Sequence, residues 1–192
     1  MQRDWLVVVK PRVKLEIVYF ILSLATTESG ERKLSKEKFS PEFVGGVQLQ
    51  SALMGLTLAF KKKYGDDAVK VTETFVEQMG TMMGNNFKER GDVKGSGIKE
   101  IERVFRIWLD PSTAPHKMKT SMDGSKLTVN RESPVLCPAI VVARQMNLPL
   151  EMVCNTVAFP MFKGVAKAVN SKAKTSNIQR SENKCIDRIE IP

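Results

Sequence analysis

The stretch HKMKTSMDGSKLTV, residues 116–129, decides the fold because the period of the chain changes within it. His116, Met118, Thr120 and Met122 alternate with Lys117, Lys119 and Ser121. A spacing of two puts each set on its own face of an extended strand. Asp123-Gly124 follows, a dipeptide suited to a tight hairpin turn, and Leu127 and Val129 continue on the return strand.

Everything before this stretch has a helical period. Pro11 can open a helix through Leu15, Val18, Tyr19, Leu22 and Ala25, and residues 26–38 read as a polar connector. Ser40-Pro41-Glu42 predicts a helix start: a capping hydroxyl, a proline at the first position and an acid at the positive helix end. Val47, Leu49, Leu53, Leu56 and Phe60 give that helix its apolar stripe. Lys61–Lys63 suit its last turn and Gly65 its close. A further helix is expected over Asp67–Arg90, with Val69, Phe75, Val76, Met79, Met82, Met83 and Phe87 as apolar positions. Gly80 and Gly84 lie four apart on it, which lets another helix approach closely. Ile98–Leu109 is the next expected helix, ended by Pro111 and Pro115.

After the hairpin, Pro138 opens a short helix over Ala139–Met146. Residues 150–158 and 160–169 then read as one helix interrupted at Pro160, or as two in succession. Residues 174–191 predict a second hairpin around Ser181-Glu182-Asn183, with Cys185, Asp187, Ile189 and Ile191 on one face of its last strand. Helices followed by antiparallel pairs argue an α+β fold: a helical layer packed on a small four-stranded antiparallel sheet built from two hairpins. Residues 1–39 are read as an N-terminal helix and connector, and 40–192 as a single α+β domain.

With 42% apolar residues in 192, the chain can bury a substantial core, which argues against disorder. A net charge of +9 invites a nucleic-acid reading, but aromatics are 7% and no arginine-rich recognition helix is visible. A solvated basic surface is the simpler account, and nucleic acid is not an expected partner. The most apolar run, Leu15–Ala25, is about half of the ~20 residues that a bilayer needs, so no membrane is expected. Three widely spaced cysteines without a CxxC pair are no disulfide framework and fit a cytoplasmic setting.

Most chemistry is excluded quickly. His116 is the single histidine, so multi-histidine metal sites are absent, and GDVKGSG over 91–97 matches neither phosphate-binding fingerprint. What is left is Cys137, Cys154 and Cys185. Three buried core thiols are one reading. In a second, the three converge on zinc, with His116, Glu151 or Asp187 completing a tetrahedral set. In a third, Cys137 or Cys154 is a catalytic nucleophile. Cys137 is the better candidate because it precedes a helix start, where a thiol's pKa falls. Met79, Met83, Phe87 and Trp108 are expected to line an apolar ligand cavity. The Gly80/Gly84 face is expected to carry a homodimer contact.

The order Cys137-Pro138, a helix, Val153-Cys154, an interrupted helix with Phe159 and Phe162, and a hairpin ending Cys185-x-x-Arg188-Ile189 resembles the L-2-amino-thiazoline-4-carboxylic acid hydrolase-like family. Many of that family's members are uncharacterised prokaryotic proteins. The pattern is also similar to 4-vinyl-reductase-type and TRAPP-type domains, with Phe75–Arg90 matching the glycine-bearing helix of that group. The resemblance covers about residues 40–192. It implies a small-molecule substrate or ligand, hydrolase-like chemistry at Cys137 or Cys154, and Arg188 or Arg131 as partner for a substrate carboxylate. The acid-and-cysteine pair that completes zinc binding in some sensors of that group is absent over 172–179. The alternative to an enzyme is a non-catalytic domain that binds or senses a small apolar molecule and dimerises through its helical face.

Overall fold

A computed structural model of the chain describes residues 39–112, 118–132 and 137–192. The expected helix over 11–25, its connector and His116 lie outside the described residues. Residues 39–192 form one compact unit.

Helix α1 spans Pro41–Tyr64, with the Ser40 hydroxyl accepting from the Phe43 amide and Gly65 closing it at φ +66°. Both ends follow from the sequence: a short polar cap at the start, and at the end a backbone turn that costs only glycine nothing. Its 24 residues are apolar enough, by length and composition, to cross a bilayer. Residues 15–25, the most apolar run of the sequence, lie outside the described residues. Here Phe43, Met54 and Thr57 of α1 are buried against the domain.

Helix α2 spans Asp67–Glu89 and α3 spans Ile98–Ser112. The latter runs past Pro111, since a proline in the last turn removes one hydrogen bond and leaves the earlier turns intact. Strands β1 (Met118–Asp123) and β2 (Lys126–Glu132) pair antiparallel, and Asp123 faces Lys126 across a two-residue turn in which Gly124 takes φ +56°. Helix α4 spans Pro138–Gln145.

Helix α5 (Leu150–Val153), a π turn (Cys154–Ala158) and α6 (Phe159–Val169) form one continuous helical run. The interruption expected at Pro160 is therefore absorbed rather than broken. Proline has no amide to donate, and the wider turn before it lets Phe159 N–H bond the Cys154 carbonyl five residues back. Strands β3 (Lys174–Arg180) and β4 (Lys184–Glu190) close the chain as the second hairpin.

The four strands form one antiparallel sheet in the order β1-β2-β4-β3, so the fold is α+β and the two hairpins join through β2 and β4. Leu127, Val129 and Ile189 point from the sheet into a core shared with Phe105, Phe162 and Val165. Phe105 and Phe162 stack with ring centroids 4.2 Å apart. A second core gathers Met54, Val76, Val142, Val153 and Val157 between the helices.

Helices α2 and α6 touch backbone to backbone. A Cβ added at Gly80 would lie 2.2 Å from the Met161 carbonyl oxygen, and one at Gly164 would lie 2.0 Å from that of Glu77. The Gly80/Gly84 face is therefore spent on the close helix packing that the spacing of these glycines favours, and is not free to carry the homodimer contact that is the other expectation. Glu77 accepts from Lys163 at 2.8 Å and Lys167 at 2.7 Å across the same contact. Phe75 and Met82, two of the apolar positions of α2, are exposed, on the side of the helix away from α1, the π turn and α6.

Candidate functional site

The register of the sheet sets one wall of the site. Met118, Arg131, Cys185 and Arg180 follow one another across β1, β2, β4 and β3. The neighbouring row carries Thr120, Val129, Asp187 and Asn177. Arg131 would reach this inner face by strict alternation with Leu127 and Val129. Arg180 would not follow Thr175 and Asn177 in the same way. A bulge between Asn177 and Gln179 adds one residue to β3, and that residue turns Arg180 inward opposite Cys185.

Below the sheet lies a cavity of about 180 Å³. Leu49 and Leu53 of α1, Met83 of α2, Trp108 and Leu109 of α3 and Val157, Phe159 and Phe162 of the interrupted helix supply apolar walls. Gln50, Arg131, Arg180, Asp187 and all three cysteines supply the polar groups. Three thiols from a helix start, a π turn and a strand thus share one cavity.

Arg131 and Asp187 are 8% and 4% exposed and form an ion pair through Nη2 and Oδ2. The same Nη2 donates to Cys185 Sγ at 3.2 Å. Asn177 donates to the other Asp187 oxygen at 2.7 Å. A buried carboxylate needs this many donors, because burial without them costs several kcal/mol. Arg131 Nε and Gln50 Oε1 are buried with no hydrogen-bond partner. Arg180 is half-buried, donates to Asn155 Oδ1 at 2.6 Å and lies over the Phe159 ring at 5.8 Å. Arg144 of α4 makes a two-pronged ion pair with Glu182 at the tip of the second hairpin, Nε–Oε1 3.1 Å and Nη2–Oε2 2.5 Å.

Cys137 and Cys154 are not activated. Burial pushes the Cys137 thiol above its ordinary range, outweighing the helix-start amide of Ile140 and the charge of Arg131. Burial likewise pushes Cys154 up to about 12, helped by the neighbouring Cys137 and opposed by Arg180. This corrects the expectation of a lowered pKa at Cys137. Its place before α4 is as expected, but desolvation exceeds the helix-end field. Both groups are neutral thiols at pH 7.

Zinc does not fit the residues described. Among them no three of His, Cys, Asp and Glu stand close enough together to hold a metal ion. Asp187 is committed to Arg131, and Glu151 is exposed. Cys137, Cys154 and Cys185 share the cavity without forming a metal centre.

Of the expected ligand-binding residues, Met83 and Trp108 line the cavity. Met79 is half-buried outside it, and Phe87 is buried in the core beside Val93 and Ile101. Arg188 faces away, since Asp187 and Ile189 on either side of it take the inner face of β4. Gln50, Phe159 and Arg180 were not singled out from the sequence as site residues. The first two carried only the signal of helical apolar neighbours. Arg180 carried none, because its orientation depends on the bulge. The chain matches no protein-family model and no curated protein.

Proposed function

We propose that the domain is a non-catalytic binding module that takes one small, largely apolar molecule into the cavity beneath the sheet. The observation that carries this reading is an apolar cavity in which burial holds Cys137 and Cys154 as neutral thiols. Among the described residues its only carboxylate, Asp187, is bound to Arg131. Nothing described there is poised to take a proton from a thiol or a water. Its volume suits a molecule near the size of a substituted benzene, since a dry cavity of about 150 Å³ admits benzene itself.

The direct test is ¹⁹F NMR of fluorobenzene with the full chain. Binding is expected in wild type and loss of at least about tenfold in Ala158→Phe, which fills the cavity. Wild-type affinity in the filled variant, with its circular dichroism unchanged, would place the site elsewhere.

A second reading keeps the resemblance to the thiazoline-carboxylate hydrolases, favoured by three thiols that line one cavity with two arginines. It requires turnover of 2-amino-thiazoline-4-carboxylate that Cys137→Ser or Cys154→Ser abolishes. Unchanged turnover in both variants would exclude a thiol nucleophile.

The proposed macromolecular partner is a second copy of the chain. The outward side of the α1–α2 hairpin supports this, because Leu56, Phe60, Val71, Phe75 and Met82 are exposed there. Apolar side chains in such number on one hairpin mark an interaction surface.

A further inference from the structure

We propose that strand β1 is a docking edge for a second copy of the chain, whose own β1 pairs with it antiparallel about a two-fold axis at Ser121. This is a further contact between copies, on the sheet and separate from the α1–α2 face. The sheet has two edges, β1 and β3. Strand β3 carries the bulge between Asn177 and Gln179, and a bulge twists an edge away from further pairing. Strand β1 pairs with β2 in unbroken register over Met118–Asp123, and no described strand lies on its other side. Met122 stands on the inner face of this edge, opposite Leu127, yet is 44% exposed. Its side chain is uncovered because the sheet ends there.

The turn decides which β1 groups point outward. A two-residue turn closes on a pair that exchanges both hydrogen bonds, here Asp123 and Lys126, and such pairs alternate along the ladder. Asp123, Ser121 and Lys119 therefore direct their amides and carbonyls to β2. Met118, Thr120 and Met122 turn theirs to the free edge. Two such edges bond where these outward residues face one another. Centred on Ser121, Thr120 faces Met122 of the second copy and Lys119 faces its Asp123. Centred on Thr120, Lys119 faces Ser121 instead. The first arrangement makes opposite-charge pairs at positions without backbone bonds, where facing side chains stand closest. A lysine on an edge ordinarily repels a further strand. Here Asp123, four residues along the same outer face, makes the edge complementary to itself. Within the chain Lys119 reaches Glu132 at 3.5 Å, a pair exposed at both ends and weak enough to give way.

The test uses the full chain with Ser121→Cys. On the two-fold axis this residue faces itself, with Cα atoms about 4.5 Å apart, within reach of a disulfide. Copper phenanthroline is expected to cross-link Ser121→Cys into a dimer at least about tenfold faster than Ser176→Cys, read on non-reducing gels with wild type as background. Ser176 is the control because it is exposed on the outer face of β3. Adding Asp123→Lys is expected to slow cross-linking about tenfold, and Lys119→Asp in the same chain to restore it. Phe60→Glu is expected to leave the rate unchanged. Equal rates for Ser121→Cys and Ser176→Cys, with the circular dichroism of both unchanged, would overturn the edge contact. So would cross-linking that Asp123→Lys does not slow, or that Phe60→Glu abolishes.

Discussion

Cys154 shows at the residue scale how burial decides reactivity. Its thiol titrates near 12, so in the folded protein it stays neutral across the physiological range. Iodoacetamide at pH 7.5 is expected to leave Cys154 unlabelled in the native protein over a time that labels it fully in urea, as read by peptide mass spectrometry. The same shift makes stability depend on pH. The unfolded thiol loses its proton near 8.5, the folded one near 12, so between those values the unfolded state binds fewer protons. Stability is then fully present below about pH 8.5 and falls above it by up to about 1.4 kcal/mol per pH unit from this group. Cys154→Ala is expected to flatten that alkaline slope in urea denaturation. Asp187 obeys a different rule. Its carboxylate holds Arg131 in place, and Asp187→Asn leaves the guanidinium buried without a counter-charge. A loss of about 3–5 kcal/mol in urea denaturation is expected.

At the scale of elements, the α2–α6 contact fixes the frame of the cavity, and its glycines are the sensitive points. A methyl at Gly80 or Gly164 would sit inside van der Waals contact with a backbone oxygen, which cannot swing aside as a side chain can. Gly80→Ala and Gly164→Ala are each expected to cost at least about 1–3 kcal/mol in denaturant melts. Gly45 on α1 is the control, because a methyl there meets nothing within 4 Å. Gly45→Ala is expected to stabilise by about 0.5–1 kcal/mol through helix propensity alone. The elements differ in how far they were legible. Ser40-Pro41 and Gly65 bounded α1, and Asp123-Gly124 bounded the first hairpin, because caps and tight turns are chemistry among adjacent residues. Pro160 was read correctly as a disturbance, but a π turn rather than a break resulted, since neighbouring core contacts at Val157 and Phe162 hold the helix together.

For the whole molecule, the proposed homodimer contact at Leu56 and Phe60 continues the α1 stripe whose earlier turns, at Leu49 and Leu53, wall the cavity. Phe60 is 52% exposed, Phe75 50% and Val71 68%, so a charge at any of them meets water in a monomer and a partner in a dimer. Phe60→Glu is expected to shift sedimentation equilibrium toward the monomer without altering fluorobenzene affinity. Dimerisation unaffected by Phe60→Glu and Phe75→Glu would remove the proposed contact. By itself the sequence determined the α+β class, the two hairpins, and the shared face of Cys185, Asp187 and Ile189. Each of these follows from periods and turns read within a few residues. Only the tertiary structure decided that the three thiols line one cavity, that burial keeps Cys137 and Cys154 neutral, and that Gly80 packs against the α6 backbone at Met161. It alone placed Arg180 in the cavity and Arg188 outside it. The physical reason is that strand pairing, a one-residue bulge and desolvation depend on residues far apart in the chain, and no local pattern carries them.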